Sequence, residues 1–180
     1  MAITQLNSDQ PLRIIELCKQ HDIYTSTAGS PALFGHTMAL KTSVLVVGLD
    51  FNWTNEHRPE FAGPATDEII AALGEAFAQL DKVQGLYYKT ELFTPTSEGK
   101  VSEDIYELIR NGPPAESGSG KTWDGVLVGF GLRSDLPLTP AFEDLVNYTK
   151  DKVPSARLMF SGMADDQLPC VLRHFPHLKK

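Results

Sequence analysis

Three side chains suited to acid–base or anion chemistry follow predicted strands in this sequence. Asp50 comes directly after the apolar run 44–49, and His57 lies in the segment that follows, which also carries Asn52. His57 could act as a general base and Asp50 as an acid or an orienting partner, because these side-chain types carry most enzymatic proton transfers. Asp50 is the better candidate, since its place at a strand end is dictated by the fold, whereas a loop histidine is more often solvated surface.

Arg133 belongs to a glycine-containing segment, Gly129-Phe130-Gly131-Leu132-Arg133-Ser134, at the end of the third predicted strand. Gly131 would let the backbone turn sharply, so that Arg133 projects over the crevice where open α/β sheets bind ligands. A guanidinium in that position suits a carboxylate or a phosphate. The alternative, equally open, is that Arg133 pairs with Asp50 or Asp135 and merely braces the loop.

The predicted site combines these groups with others near the same edge of the sheet. Ser161 and Gly162 follow the fourth predicted strand and could line the crevice, although Asp165 and Asp166 beyond them are more typical of a helix cap. We predict Asp50, His57 and Arg133 as catalytic groups. The predicted ligand-binding residues are Asn52, Gly129, Gly131, Arg133, Ser134 and Ser161.

Two glycine motifs suggest a nucleotide, and neither fits its context. Gly118-Ser119-Gly120-Lys121-Thr122 resembles the end of a phosphate-binding P-loop, but Ala115 stands where the first glycine belongs. That segment also leads into a strand rather than out of one. The Gly129 segment has two glycines of a dinucleotide fingerprint, yet Ser134 replaces the third. We therefore predict no cofactor.

Alternating strands and helices must position these groups. Four apolar runs predict strands at 43–48, 86–93, 126–130 and 156–160, and periodic apolar positions predict the helices between them. The first run is apolar throughout, as in a strand buried on both faces. Right-handed crossovers then give an α/β three-layer sandwich, in which a four-stranded parallel sheet of flavodoxin-like order 2-1-3-4 carries helices on both faces.

The chain divides into a predicted N-terminal extension, 1–40, and a single α/β domain, 41–180. The extension begins with a helix capped at Ser8 or Asp9 and continues as a loop over 25–35, which is rich in small residues, Pro and Gly. A second loop over 111–121, dominated by Gly, Ser and Pro, is predicted to be flexible and to lack an apolar anchor.

Composition argues against several classes of function. The 180-residue chain has a formal charge of −7 and no basic stripe, which argues against nucleic acid. Its apolar runs are too short to span a bilayer, and its first residues lack the features of a signal peptide. Two cysteines, Cys18 and Cys170, are too few for a disulfide framework, and His174 and His177 have no carboxylate or cysteine near them for a metal site. We predict a cytoplasmic protein without metal whose partner is a small-molecule ligand, with a homodimer left open.

From Val44 to about Leu172 the chain resembles a group of small bacterial and fungal α/β proteins, flavodoxin-like or Rossmann-like, that lack an established activity. The resemblance rests on Gly48-Leu49-Asp50, on the stretch from Trp123 to Arg133, and on the segments 142–147 and 154–157. The fourth strand of those relatives tends to end Phe-Asn-Thr, where this chain has Phe160-Ser161-Gly162. The resemblance implies the fold and supplies no substrate.

Two functions follow as alternatives. The first is a small-molecule enzyme that acts on an anionic or carbonyl-bearing metabolite in the crevice at the carboxyl ends of the strands. The second is a non-catalytic module that binds a ligand or a protein, with Arg133 as its anchor. An enzyme needs a positioned proton carrier, whereas a binding module needs only complementary shape and charge. We place the enzyme slightly ahead, and convergence of Asp50, His57 and Arg133 within hydrogen-bonding distance would separate the two.

Overall fold

The computed structural model describes residues 40–57, 64–96 and 98–179. The predicted N-terminal extension, 1–40, lies outside the described residues except for Leu40. Within the described ranges, no helix is long and apolar enough to cross a membrane.

Four parallel strands form one sheet in the order β2-β1-β3-β4. They are β1 (Thr42–Leu49), β2 (Leu86–Phe93), β3 (Gly125–Val128) and β4 (Arg157–Phe160). β1 lies between β2 and β3, and its residues from Ser43 to Val47 are buried. A strand covered by helices on both faces has no solvated face, which is why β1 is a continuous apolar run instead of an alternating one. The α/β fold class and the predicted strand order are confirmed.

In the described ranges six α-helices connect or follow the strands. They are α1 (Phe51–His57), α2 (Pro64–Leu80), α3 (Glu103–Asn111), α4 (Phe130–Ser134), α5 (Thr139–Lys152) and α6 (Gln167–His174). Successive residues of a strand point to opposite faces, so the sheet divides the apolar core in two. The core beneath α3, α4 and α5 is lined on the sheet by Leu45, Val47, Val126 and Val128. The core beneath α2 and α6 is lined on the sheet by Val44, Val46, Leu127 and Met159.

Two element boundaries differ from the prediction, both at the carboxyl edge of the sheet. Phe130, predicted to end the third strand, is the first residue of α4, because β3 stops at Val128. The segment after Asp50, predicted to be a loop, forms α1. In each case a single residue, Gly129 or Asp50, separates the strand from a short helix. These short helices carry most of the predicted site residues.

The segment between α3 and β3 follows a defined path. It contains a short 3₁₀-helix, Ala115–Ser117, and both Pro113 and Ser117 are buried. The backbone N–H of Lys41 donates to the carbonyl of Gly118 at 2.8 Å. The expectation that this segment has no apolar anchor was wrong, because Pro113 is such an anchor. Its P-loop-like tail leads into β3, as predicted, and therefore cannot place a phosphate at a helix N-terminus.

Candidate functional site

The sheet register brings three of the predicted segments to one edge. Val47 of β1 pairs with Val128 of β3, and Val128 pairs with Phe160 of β4. The residues that follow these strands therefore emerge side by side at the carboxyl ends, where open α/β sheets bind ligands. Their side chains decide what this edge can do.

Asp50 makes the contacts of a helix cap. Its Oδ1 accepts a hydrogen bond from the backbone N–H of Trp53 at 3.0 Å, and its carbonyl accepts from the N–H and the hydroxyl of Thr54 at 3.0 and 2.9 Å. Its own N–H donates to the carbonyl of Phe93 at the end of β2. Asp50 thus satisfies the N–H groups of Trp53 and Thr54 in the first turn of α1 and ties that helix to the sheet.

His57 ends α1 and stacks on Trp53. The two rings lie 4.6 Å apart at 12°, and Nδ1–H of His57 donates to the Trp53 carbonyl at 3.0 Å. Trp53 in turn packs against the apolar core beneath α3, α4 and α5. Within the described residues, His57 makes no hydrogen bond or ion pair with Asp50 or Arg133, so the structure does not join the three predicted catalytic groups directly. Asn52 lies exposed on the same helix.

Arg133 lies on α4, where it is exposed to solvent and makes two contacts. Its Nη2 donates to the carbonyl of Ser161 at 2.8 Å, and its guanidinium carbon lies 5.1 Å from the centre of the Phe130 ring. Neither Asp50 nor Asp135 forms an ion pair with Arg133. The contact that braces this loop is instead the hydrogen bond from Arg133 on α4 to the Ser161 carbonyl, directly after β4. Among the described residues no carboxylate forms an ion pair with this guanidinium.

Ser161 and Ser134 differ in burial and in their hydrogen-bond partners. The side chain of Ser161 is buried, and its hydroxyl accepts a hydrogen bond from Nε2 of the buried Gln167 at 3.4 Å. The backbone carbonyl of Ser161, and not its hydroxyl, therefore contributes to this edge of the sheet, where it accepts the hydrogen bond that positions Arg133. Ser134 is exposed, and its hydroxyl donates to the carbonyl of Gly131 within α4.

Gly129 and Gly131 differ in the space that each would leave for a Cβ atom. A Cβ on Gly129 would lie 3.3 Å from the carbonyl oxygen of Val47, to which the Gly129 N–H donates, so glycine permits a close approach to β1. A Cβ on Gly131 would make an ordinary contact of 3.5 Å with a methyl group of Leu49. The predicted sharp turn at Gly131 was wrong, because the chain enters α4 directly after Gly129 and Gly131 is helical.

Asp166 is a contributor to this edge that the sequence indicated only as a cap. Its carboxylate accepts two hydrogen bonds from Arg173, at 2.8 and 3.0 Å, and one from the N–H of Gly162 at 2.8 Å. The bonds from Arg173, helped by that N–H and by the more distant charge of Arg133, hold the pKa of Asp166 below its ordinary value. Arg173 is therefore the ion-pair partner of Asp166, and Arg133 acts on that carboxylate only at longer range.

Replacing Asp166 with asparagine should destabilise the protein by about 1 kcal/mol at neutral pH. The lowered pKa means that the folded state binds the proton less readily than the unfolded chain does. The stabilisation is therefore present above the unfolded pKa, about 4, and is lost as the pH falls through the folded value. Its size is modest because Arg173 is half exposed. Urea unfolding of both proteins at neutral and acidic pH checks this, and a difference that does not shrink in acid would contradict it.

Exposed apolar side chains lie in the same two segments as Arg133 and its acceptor Ser161, and sequence reasoning missed them. Of the six large apolar side chains exposed in the described ranges, four lie in the segments that end or follow β3 and β4. Phe130 is 42% exposed, Phe160 37% and Met163 62%. The sequence predicted both phenylalanines as the last residues of apolar strands, a pattern that does not indicate how far their side chains are exposed. We call Phe130, Arg133, Phe160 and Met163 the β3–β4 edge surface.

The β3–β4 edge surface is rigid on one side. The ring of Phe142, on α5, packs edge-on against Phe160 at 5.7 Å, and the Ser161 carbonyl holds Arg133. Anchored side chains lose little conformational freedom when a ligand binds, so less binding free energy is spent on ordering them. The surface therefore combines a positioned cation with apolar area.

In the part of the chain that the structure describes, no group of three or more His, Cys, Asp or Glu side chains could hold a metal ion. Comparisons with protein-family models, with curated proteins and with solved structures find no match to this chain.

Proposed function

We propose that the protein binds a small anion with an apolar portion at the β3–β4 edge surface. The observation that carries this proposal is Arg133, exposed yet fixed by the Phe130 ring and the Ser161 carbonyl. The anionic group of the ligand, a carboxylate or a phosphate, would meet the N–H groups of the guanidinium that Ser161 does not use. A charge-assisted, forked contact of this kind is among the stronger hydrogen bonds a protein makes.

The apolar portion of the ligand is proposed from the exposed side chains of the segments that follow β3 and β4. Large apolar side chains exposed close together on a domain surface commonly mark a binding site. Phe130 and Phe160 offer ring surface, and Met163 adds a flexible thioether that adapts to varied shapes. An aromatic or short acyl anion would cover this area and pair its charge with Arg133.

Binding, rather than catalysis, is the function that the contacts support best. The two predicted proton carriers are engaged within α1, where Asp50 caps the helix and His57 stacks on Trp53. The enzyme hypothesis, with Asp50 and His57 as proton carriers and Arg133 as substrate anchor, needs both carriers to turn toward the edge. It stays the alternative, and an activity abolished by Asp50→Asn in a normally folded protein would favour it.

Benzoate and benzamide form a matched pair of probes for this proposal, since they share a ring and shape and differ in charge. We expect benzoate to shift the backbone amide resonances of residues 130–134 and 160–163 saturably in a two-dimensional NMR titration. Benzamide should bind at least about tenfold more weakly, because it lacks the charge that Arg133 recognises. Equal affinities for the two probes, or shifts confined to residues outside these two segments, would overturn the proposal.

A further inference from the structure

An open groove runs between the end of α2 and α6. Its volume is about 550 Å³, within the range of pockets that hold small organic ligands. Four apolar side chains line it: Val83, Leu168, Leu172 and Leu178. The first three are half-buried and pack against the core beneath α2 and α6. Their other sides therefore offer apolar surface to a ligand, on side chains that the core already holds in place.

Two lysines, Lys82 and Lys179, also line the groove. Each is exposed and lies in a turn closed by a backbone hydrogen bond from its own N–H, 3.2 Å long in both cases. Among the described residues neither ammonium group forms an ion pair. Asp81, the carboxylate next to Lys82 in the chain, accepts a hydrogen bond from the Tyr88 hydroxyl at 2.6 Å. The groove thus carries two positive charges on a fixed backbone.

The charge of the groove is opposite to that of the chain. The chain has 23 Asp and Glu against 16 Lys and Arg, a formal charge of −7. The eight residues that line the groove are the four apolar residues, the two lysines and two glutamines, without a carboxylate. Positive charge set in apolar walls attracts anions and disfavours cations. The groove is therefore suited to a ligand that is both apolar and negatively charged.

The positive charges lie at one end of the groove. Lys82 belongs to the turn between α2 and β2, and Lys179 belongs to the segment after α6, which approaches the same turn at Gly85. Leu172 and Leu168 lie four residues apart along α6, so they share one face of that helix, and Leu168 is in its first turn. A ligand with its anionic group near the lysines would therefore lay its apolar chain along α6.

We propose that this groove binds an unbranched aliphatic chain that ends in an anionic group, of which a medium-chain carboxylate is the simplest example. The anionic group would meet Lys82 and Lys179, and the chain would cover Leu172 and Leu168. A lysine recognises an anion as a point charge, so a single carboxylate can pair with both ammonium groups. Eight lining residues are too few for a second protein, since a stable interface takes about 20 or more from each side. The groove shares no residue with the β3–β4 edge surface, so the two sites are independent.

Octanoate, octanamide and hexanoate test both parts of the proposed ligand. In a two-dimensional NMR titration, octanoate should saturably shift the backbone amide resonances of residues 79–84, 168–172 and 178–179. Octanamide should bind at least about tenfold more weakly because it lacks the charge, and hexanoate about tenfold more weakly because two fewer methylenes are buried. Equal affinities for octanoate and octanamide would overturn the proposal. Shifts confined to residues 130–134 and 160–163 would also overturn it, while leaving the proposed function of the β3–β4 edge surface intact.

Removing the two charges tests the lysines directly. The double variant Lys82→Gln, Lys179→Gln changes exposed side chains, so the fold should be retained, and its dissociation constant for octanoate should rise about tenfold or more. Its affinity for octanamide should stay unchanged. The matched control is Lys150→Gln, an exposed lysine on α5, which covers the other face of the sheet and should bind octanoate as the wild type does.

Three results would overturn the proposal. The first is a double lysine variant that binds octanoate normally, and the second is an equal loss of affinity in Lys150→Gln. The third is a wild-type protein that shows no saturable shifts in the groove with octanoate at about 10 mM, since even a weak specific site is largely filled in that range.

Discussion

Replacing Arg133 with alanine is expected to raise the dissociation constant for benzoate about thirtyfold and to lower the free energy of unfolding by only about 1 kcal/mol. The loss of affinity reflects a charge-assisted contact with the anion. The small loss of stability reflects one hydrogen bond, to the Ser161 carbonyl, from a side chain that is otherwise exposed. Benzoate titration and urea unfolding measure the two effects separately.

The matched control for this variant is Arg157→Ala. Arg157 also lies over a phenylalanine ring, that of Phe175 at 5.4 Å, but it begins β4 at the opposite edge of the sheet. Its replacement should leave benzoate affinity unchanged. Arg133→Lys keeps the charge and loses the planar fork, so its affinity should fall between those of the wild type and Arg133→Ala. If Arg133→Ala bound benzoate normally and lost several kcal/mol of stability, Arg133 would stabilise the fold and would not bind the ligand.

The sheet could be predicted from the sequence because its signal is local. A strand buried on both faces must be apolar at every position, and β1 and β3 are such strands. Helices between the strands then leave little choice of connection, since crossovers between parallel strands are right-handed. Layering follows from these two constraints, and the flavodoxin-like order is an arrangement that puts the two apolar strands, β1 and β3, at the centre of the sheet.

The short helices at the carboxyl edge were missed for the opposite reason. α1 contains Asn, Trp and His, which have modest helix propensity, and it depends on the Asp50 cap and on Trp53 packing into the core. Phe130 continues the apolar run of β3 although it belongs to α4, so the sequence pattern predicts a strand that ends too late. Packing and capping set both boundaries, and neither is visible in periodicity.

The contacts of Arg133 could not be predicted because they depend on distance in space. Its acceptor, the carbonyl of Ser161, is 28 residues away along the chain, and a backbone carbonyl leaves no mark in a sequence. The sequence offered only Asp50 and Asp135 as partners, since carboxylates are the partners that residue types reveal. The position of Arg133 at the edge was predictable, and the group that holds it there was not.

Gly112 is the position where a single added methyl group should cost most. It follows α3 with φ 72° and ψ −172°, a region that is essentially restricted to glycine. A Cβ at this position would also lie 2.1 Å from the carbonyl oxygen of Lys121, and that obstacle is backbone, which cannot rotate away. Gly112→Ala must therefore distort either the end of α3 or the backbone at Lys121, ahead of β3.

Gly118 is the matched control in the same segment. It has nearly the same φ, 71°, but its ψ of 20° is in the left-handed helical region, and a Cβ would meet only the side chain of Lys41, at 3.8 Å. We expect Gly118→Ala to lower the free energy of unfolding by about 1 kcal/mol, the conformational cost alone. Gly112→Ala should cost about 3 kcal/mol or more, since backbone strain and steric overlap add. Urea unfolding of the two variants measures the difference. Equal losses of unfolding free energy would mean that the backbone between α3 and β3 rearranges to accommodate the added methyl group.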